Sequence, residues 1–212
     1  MWQEIAEVVT RSILISGTAT LFAAFWSVPI AMMLTAKDSK FRVALLDVTN
    51  TLVGVPTVLV GLVLYLLFSR SGPLGFLGIL YTPTSIVIGE AVLITPIIIS
   101  LSALVLRETK AKVWEMAVSI GATERQASVT MVAESLPRLL MAILLGFNRA
   151  IGELGVALML GGNIKGFTRV MTTAIALEVS KGEFELALTL GGILLLVTFT
   201  ITAIVGKVGK VR

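Results

Sequence analysis

The sequence predicts an all-α integral membrane protein with about five membrane-spanning helices. Of its 212 residues, 56% are hydrophobic and only 14% charged, against about 25% charged in a soluble domain; mean hydropathy is +0.98. Five stretches approach the ~20 apolar residues needed to cross ~30 Å of hydrocarbon. The bases between them alternate from many to few along the chain, as in a chain that crosses a bilayer repeatedly. With no cysteine and no histidine, thiol chemistry, disulfides and the usual ligands of zinc, copper or haem are excluded. The pI near 9.6 does not indicate nucleic acid, because the 17 Lys and Arg residues form no basic patch interleaved with aromatics.

The opening "MWQEIAEVVTRS" has two acids and one base before the apolar run. That is a poor signal-peptide start, so no cleavage is expected. The expected spans follow at 12–34, 48–68, 85–106, 139–160 and 186–206, in a single membrane domain over 1–212. The first, second and fifth carry no charge, the third carries Glu90, and the fourth carries Arg149 and Glu153. Prolines 29, 56 and 96 fall within spans, where neighbouring helices or Ser/Thr side chains can satisfy the freed carbonyls.

Lys37, Lys40 and Arg42 lie between spans one and two, five bases between spans three and four, and Lys207, Lys210 and Arg212 after span five. These 11 share one side. Arg11, Arg70, Lys165, Arg169 and Lys181 lie on the other. The positive-inside rule makes the first side cytoplasmic, with the N-terminus outside and the C-terminus inside. The two outside loops are 69–84 and 161–184; within the second, the apolar run 170–177 is too short to span and reads as a re-entrant or surface helix.

The cytoplasmic loop 107–138, "RETKAKVWEMAVSIGATERQASVTMVAESLPR", reads as two short helices. The first covers 110–120, with Trp114, Ala117, Val118 and Ile120 on a partly apolar face. Gly121 ends it as a left-handed cap. Thr123 caps the second, and Gln126 completes a capping box. Two roles are open for such an element: docking another protein, or lying on the bilayer surface.

Glu115, Ala117 and Gly121 resemble the E-A-A-x-x-x-G motif of ABC importer permeases, with Met116 in place of its second residue. The I-x-L-P that follows in that family is here Met131, Val132, Ala133 and Glu134, and the next proline is Pro137. "FNRAIGELG" (147–155) is similar to a run in the sulfate, molybdate and tungstate branch, and 51–84 and 161–188 resemble its tungstate permeases. The resemblance covers most of the chain. It implies the type I ABC importer permease fold, an inner-membrane homodimer, cytoplasmic ABC ATPase subunits that bind ATP and Mg, and an extracytoplasmic oxyanion-binding protein. It also makes 110–121 the coupling helix, with Glu115, Ala117, Gly121, Ala122 and Thr123 as the ATPase-coupling residues.

No G-x-x-x-x-G-K-[ST] occurs, so the chain is expected to be no enzyme and to hold no cofactor or metal. Five spans also leave little room for a route within one copy. Arg149 and Glu153 stand at i and i+4, a spacing that places them on one helix face. A lone charge at mid-bilayer costs about 2.5–3.5 kcal/mol, and a pair neutralises itself. Gly146, Gly152 and Gly155 leave room for close helix approach. Two roles are open: a structural salt bridge at the dimer interface, or an Arg149 that attracts a passing oxyanion while Glu153 prevents trapping. Glu90 reads as snorkelling or paired with a neighbouring helix. Asn50, Thr51, Thr57 and Thr95 read as hydrogen-bonded locally or as lining a route. Lys165 and Arg169 can meet acids of a binding protein, but the outside acids balance the outside bases. Physics alone does not choose tungstate over molybdate or sulfate. The rival from another class is an ATPase-independent carrier or channel, which calls for acidic or histidine relays inside spans.

Overall fold

The computed structural model describes residues 2–36 and 39–209; Lys37, Lys210 and Arg212 of the expected basic loops lie outside the described residues. Among the described residues the regular structure is all helical, with short 3-10 and π segments. Four helices are long and apolar enough to cross a membrane: α1 (Trp2–Thr35), α4 (Pro83–Thr109, continuing to Ser119), α6 (Glu124–Ile151) and α9 (Phe184–Gly209). Between α1 and α4 lie α2 (Lys40–Leu52) and α3 (Thr57–Phe68), bent by 98° at their junction.

The expected span 48–68 is therefore not one helix. Gly54-Val55-Pro56 interrupts it, because Pro56 has no N–H to donate and disfavours helical geometry at Val55. The expected span 139–160 is broken too. Its first part belongs to α6, and after residues 152–154 the chain resumes as α7 (Gly155–Gly161). The apolar run 170–177 falls in α8 (Met171–Lys181), packed on α1 and α9.

α4 is the central element. Half of its most apolar 18-residue window is buried inside the protein, against 11% for α9. Its closest partner is α1, and the two meet α6 across small side chains: Ala19, Ala23, Ala91 and Ala150 pack with Ile94 and Ile98. Small residues let apolar helices approach where lipid supplies no hydrophobic drive. Gly146 extends this seam, since a Cβ there would stand 2.8 Å from Ile98. Several buried hydroxyls are satisfied by their own helices, as in Thr20 to the Ser16 carbonyl and Thr109 to the Val105 carbonyl. Thr51 and Thr95 do the same, and Thr95 also accepts from the Trp26 indole at 2.8 Å.

Candidate translocation and coupling site

The loop 107–138 does not form two separate short helices. Its first part prolongs α4: with no Gly or Pro between Pro96 and Gly121, nothing stops the helix at the membrane edge. It passes through a π turn (Lys110–Trp114), where the Glu115 N–H reaches back to the Lys110 carbonyl, and ends in α5 (Glu115–Ser119). The Lys110 amine donates to the Ala36 carbonyl at the end of α1 (3.2 Å) and lies 6.0 Å above the Trp114 ring. The second part is the N-terminal half of α6, which runs through Pro137 into the apolar region. An Arg138–Glu108 ion pair fastens α6 to α4 at this level.

The turn between α5 and α6 has the chemistry its sequence predicts. Gly121 has φ +93°, the Ala122 N–H bonds the Ala117 carbonyl and the Gly121 N–H bonds the Val118 carbonyl. These two bonds are a Schellman C-cap. Thr123 then accepts from the Gln126 N–H, and Gln126 accepts from the Thr123 N–H at 2.9 Å, closing the capping box. Glu115, Gly121 and Thr123 are exposed, while Ala117 and Ala122 are half-buried. The tip also exposes Met116 and Ile120, the latter at 82%. Met116, which departs from the family motif, is thus part of the exposed apolar surface.

Behind this tip lies a cavity of about 410 Å³ between the ends of α1, α4 and α6, lined by Met32, Thr35, Leu106, Lys110, Trp114 and Met131 among others.

Arg149 and Glu153 do form an ion pair, at 2.6 Å, but not along one continuous helix. Arg149 sits in the last turn of α6 and Glu153 in the break. Glu153 is almost wholly buried, and its Oε1 accepts from the Gly155 N–H at 2.8 Å and the Val156 N–H at 3.2 Å. The side chain therefore satisfies the free N–H groups that open α7. Its own carbonyl accepts from the Thr172 hydroxyl at 2.8 Å, which ties the break to α8. Arg149 remains 39% exposed, with Glu153 as its acceptor. The glycines here differ in use. A Cβ on Gly155 would meet Val58 and Thr57 at 3.0 and 3.1 Å, whereas Gly152 has no close helix neighbour and simply ends α6.

Glu90 neither snorkels nor pairs with a base. It is 2% exposed on α4, with the Ser16 hydroxyl of α1 as its hydrogen-bond partner, and Oε2 is shielded without one. The preceding residue, Gly89, faces α7, where a Cβ would stand against Leu160 and 2.5 Å from Val156.

At the end of the bundle away from the α5–α6 tip, four of the five bases read as outside in the sequence are already engaged, while Arg70 is exposed. Lys165 and Arg169 face Glu4 at 2.9 and 3.8 Å, Arg11 donates to the Arg169 and Gly166 carbonyls, and Lys181 pairs with Glu178. Arg169 is mostly buried, so it is not held out for a partner. Tyr81 adopts φ +62°, unusual for an aromatic residue. Its N–H bonds the Leu160 carbonyl, and its ring closes on Gly162. Nothing in the sequence marks that position.

A bundle of membrane-length helices, broken around a buried carboxylate and carrying an exposed helix–turn–helix at one end, defines a polytopic membrane protein. Sequence comparison makes the assignment specific. The chain belongs to the binding-protein-dependent transport system inner membrane components, a family that matches residues 27–209. It is 34% identical over 202 residues, 95% of this chain and 89% of the relative, to the tungstate uptake system permease protein of Peptoclostridium acidaminophilum. It is 36% identical over 163 residues to that of Campylobacter jejuni, covering 77% of this chain and 68% of the relative. A probable anion ABC transporter permease protein of Haloferax volcanii is 32% identical over 205 residues, 94% of this chain and 88% of the relative. The fold is accordingly that of a type I permease of the inner membrane.

Proposed function

We propose that this chain is the membrane subunit of an ATP-driven, binding-protein-dependent importer of tungstate. Two copies would stand side by side, with ABC ATPase subunits binding ATP and Mg on the cytoplasmic side and an oxyanion-binding protein outside. The N-terminus faces out and the C-terminus in, as the basic loops require. The observation that carries the reading is the α5–α6 tip. It is exposed and capped at both helix ends, and it is continuous with two spans, so force applied there reaches the membrane interior. Glu115, Ala117, Gly121, Ala122 and Thr123 shape the surface that meets the ATPase. Closure of the ATPase dimer moves 110–121, the spans open outward to receive the anion, and hydrolysis resets them.

In this cycle Arg149 supplies positive potential to the passing anion. Glu153 holds the α7 N–H groups whether or not Arg149 stays paired, so the guanidinium can turn away without uncapping α7. Arg149→Ala is expected to abolish uptake and Arg149→Lys to keep part of it; normal uptake by the alanine variant would remove this role. The choice of tungstate follows the names of the relatives.

The test is reconstitution with the ATPase and binding protein, measuring ATP hydrolysis with tungstate, molybdate and sulfate separately. Stimulation by tungstate is expected. Stimulation by another anion alone would change the cargo, and an intact assembly with no anion-stimulated turnover would reject the reading. Single-cysteine labelling checks orientation: residues 107–138 reacting from outside would reverse it.

A further inference from the structure

We infer that α2 is an in-plane interfacial helix whose outer stripe, Phe41, Leu45, Val48 and Leu52, is seated in the acyl region of the cytoplasmic leaflet beneath anionic lipid headgroups. The inference concerns a surface that the transport cycle above leaves unassigned and does not depend on the cargo.

Length and angle come first. At ~1.5 Å per residue, the 13 residues of α2 and the 12 of α3 reach about 20 and 18 Å, so neither alone crosses the ~30 Å hydrocarbon core. The 98° bend means that α2 and α3 cannot both stand upright. α3 is the upright member: apart from Thr57, Gly61 and Tyr65 it is wholly aliphatic or phenylalanine, and Phe68 packs with Leu93 of α4 and with Val156 and Leu160 of α7. α2 therefore lies flat.

Depth comes next. Leu46, the buried residue of α2, packs with Ala31 of α1, with Ile99, Ala103 and Leu106 of α4, and with Leu139 of α6. Ile99 and Leu106 stand about 24 and 35 Å along α4 from Pro83 at ~1.5 Å per residue. That range brackets the far edge of the hydrocarbon, on the side that carries the bases.

The helix has three faces. At about 100° per residue, Phe41, Leu45, Val48 and Leu52 share an arc of roughly 60°, and they are 71, 39, 57 and 51% exposed. Leu46, with half-buried Arg42 and Thr49 beside it, faces the protein. Lys40, Asp47, Asn50 and Thr51 are exposed on the third arc. Val43 is the one large exposed apolar residue outside the stripe. A helix with one face on protein, one apolar and one polar fits the bilayer surface, with its apolar face sunk among acyl chains and its polar face wet. Lys40, exposed on the polar arc in the first turn, complements anionic headgroups, which attract juxtamembrane bases.

The native chain has no cysteine, which permits the test directly. Single cysteines at 41, 45, 47, 48, 51 and 52 are spin-labelled in the complex with its ATPase. The complex is placed in phosphatidylcholine–phosphatidylglycerol vesicles, and variants are retained only if ATP turnover is intact. The oxygen-to-nickel-chelate accessibility ratio is expected to be several-fold higher at 41, 45, 48 and 52 than at 47 and 51. Positions 45 and 48 shielded from both reagents, or joined as a symmetric disulfide, would show that a second copy covers the stripe and overturn the inference. Nickel access at 45 and 48 equal to that at 47 would place the stripe in water and overturn it equally. Anion-stimulated turnover, measured in parallel, reports on the proposed function separately.

Discussion

Replacing Glu153 with alanine should cost the protein more than replacing its partner Arg149, although the two form one ion pair. The carboxylate makes three contacts: Arg149 at 2.6 Å, the Gly155 N–H at 2.8 Å and the Val156 N–H at 3.2 Å. Deleting it strands two N–H groups at a buried helix start, at about 1–3 kcal/mol for a buried unsatisfied group. The lost ion pair adds only about 0–1 kcal/mol, because Arg149 is 39% exposed and screened. We predict about 3–5 kcal/mol for Glu153→Ala, chiefly from the unsatisfied groups. Arg149→Ala leaves both N–H contacts in place and should cost about 1–2 kcal/mol, the screened ion pair plus the buried Glu153 charge left without its counter-ion. Glu153→Gln, which keeps an acceptor oxygen, should fall between. At roughly 2–4 °C per kcal/mol for a chain of this size, the unfolding midpoint should drop by about 6–20 °C for Glu153→Ala and about 2–8 °C for Arg149→Ala. Thermal scanning of purified variants in nanodiscs measures this. An Arg149→Ala midpoint at or below that of Glu153→Ala would refute the capping role and restore a simple ion pair.

Gly121→Val should reduce ATPase association in a pull-down and lower the melting midpoint by about 2–8 °C. It forces a β-branched residue to φ +93°, where a side chain costs about 1–2 kcal/mol, at a turn outside the packed core. Gly89→Ala should destabilise by about 1–3 kcal/mol through overpacking against Leu160 and Val156. Gly191→Ala, with nothing within 4 Å of its Cβ, should be neutral or slightly stabilising in the same thermal scan, since alanine favours helix by up to about 1 kcal/mol. Thr123→Ala should lose about 0.5–1 kcal/mol of helix capping, the low end because its bond from Gln126 is long at 3.4 Å, and Thr123→Ser should restore it.

Charge-free runs such as 12–34 and 186–206 were legible as helices because length and composition alone decide them. The α5–α6 turn was legible for a different reason: Gly121, Thr123 and Gln126 are local cap chemistry, written within a few residues. The two breaks were harder. Gly54 and Pro56 were visible, but a proline inside an apolar run is also tolerated in membrane helices, and only packing on α4 decides between kink and break. At 152–154 the i, i+4 spacing of Arg149 and Glu153 imitates an uninterrupted helix. The useful signal was a carboxylate with glycines on either side, at 152 and 155, where backbone N–H groups are free to be capped. Burial of Glu90 against Ser16 joins residues far apart in the chain, as do the Arg11 bonds to the 163–169 loop, and no local pattern announces either.

The unbroken passage of α4 through the π turn into α5 has a mechanical consequence. From Pro83 to Ser119 the chain is a single rod of 37 residues, about 55 Å long at ~1.5 Å per residue. Pivoting about its Pro83 end by only 5° would carry its far tip about 5 Å, roughly one helical turn's pitch. The π turn and Pro96 are the two places along that lever where it can flex. Their compliance sets how much of a displacement at the α5 tip is delivered to the Pro83 end and how much is absorbed on the way.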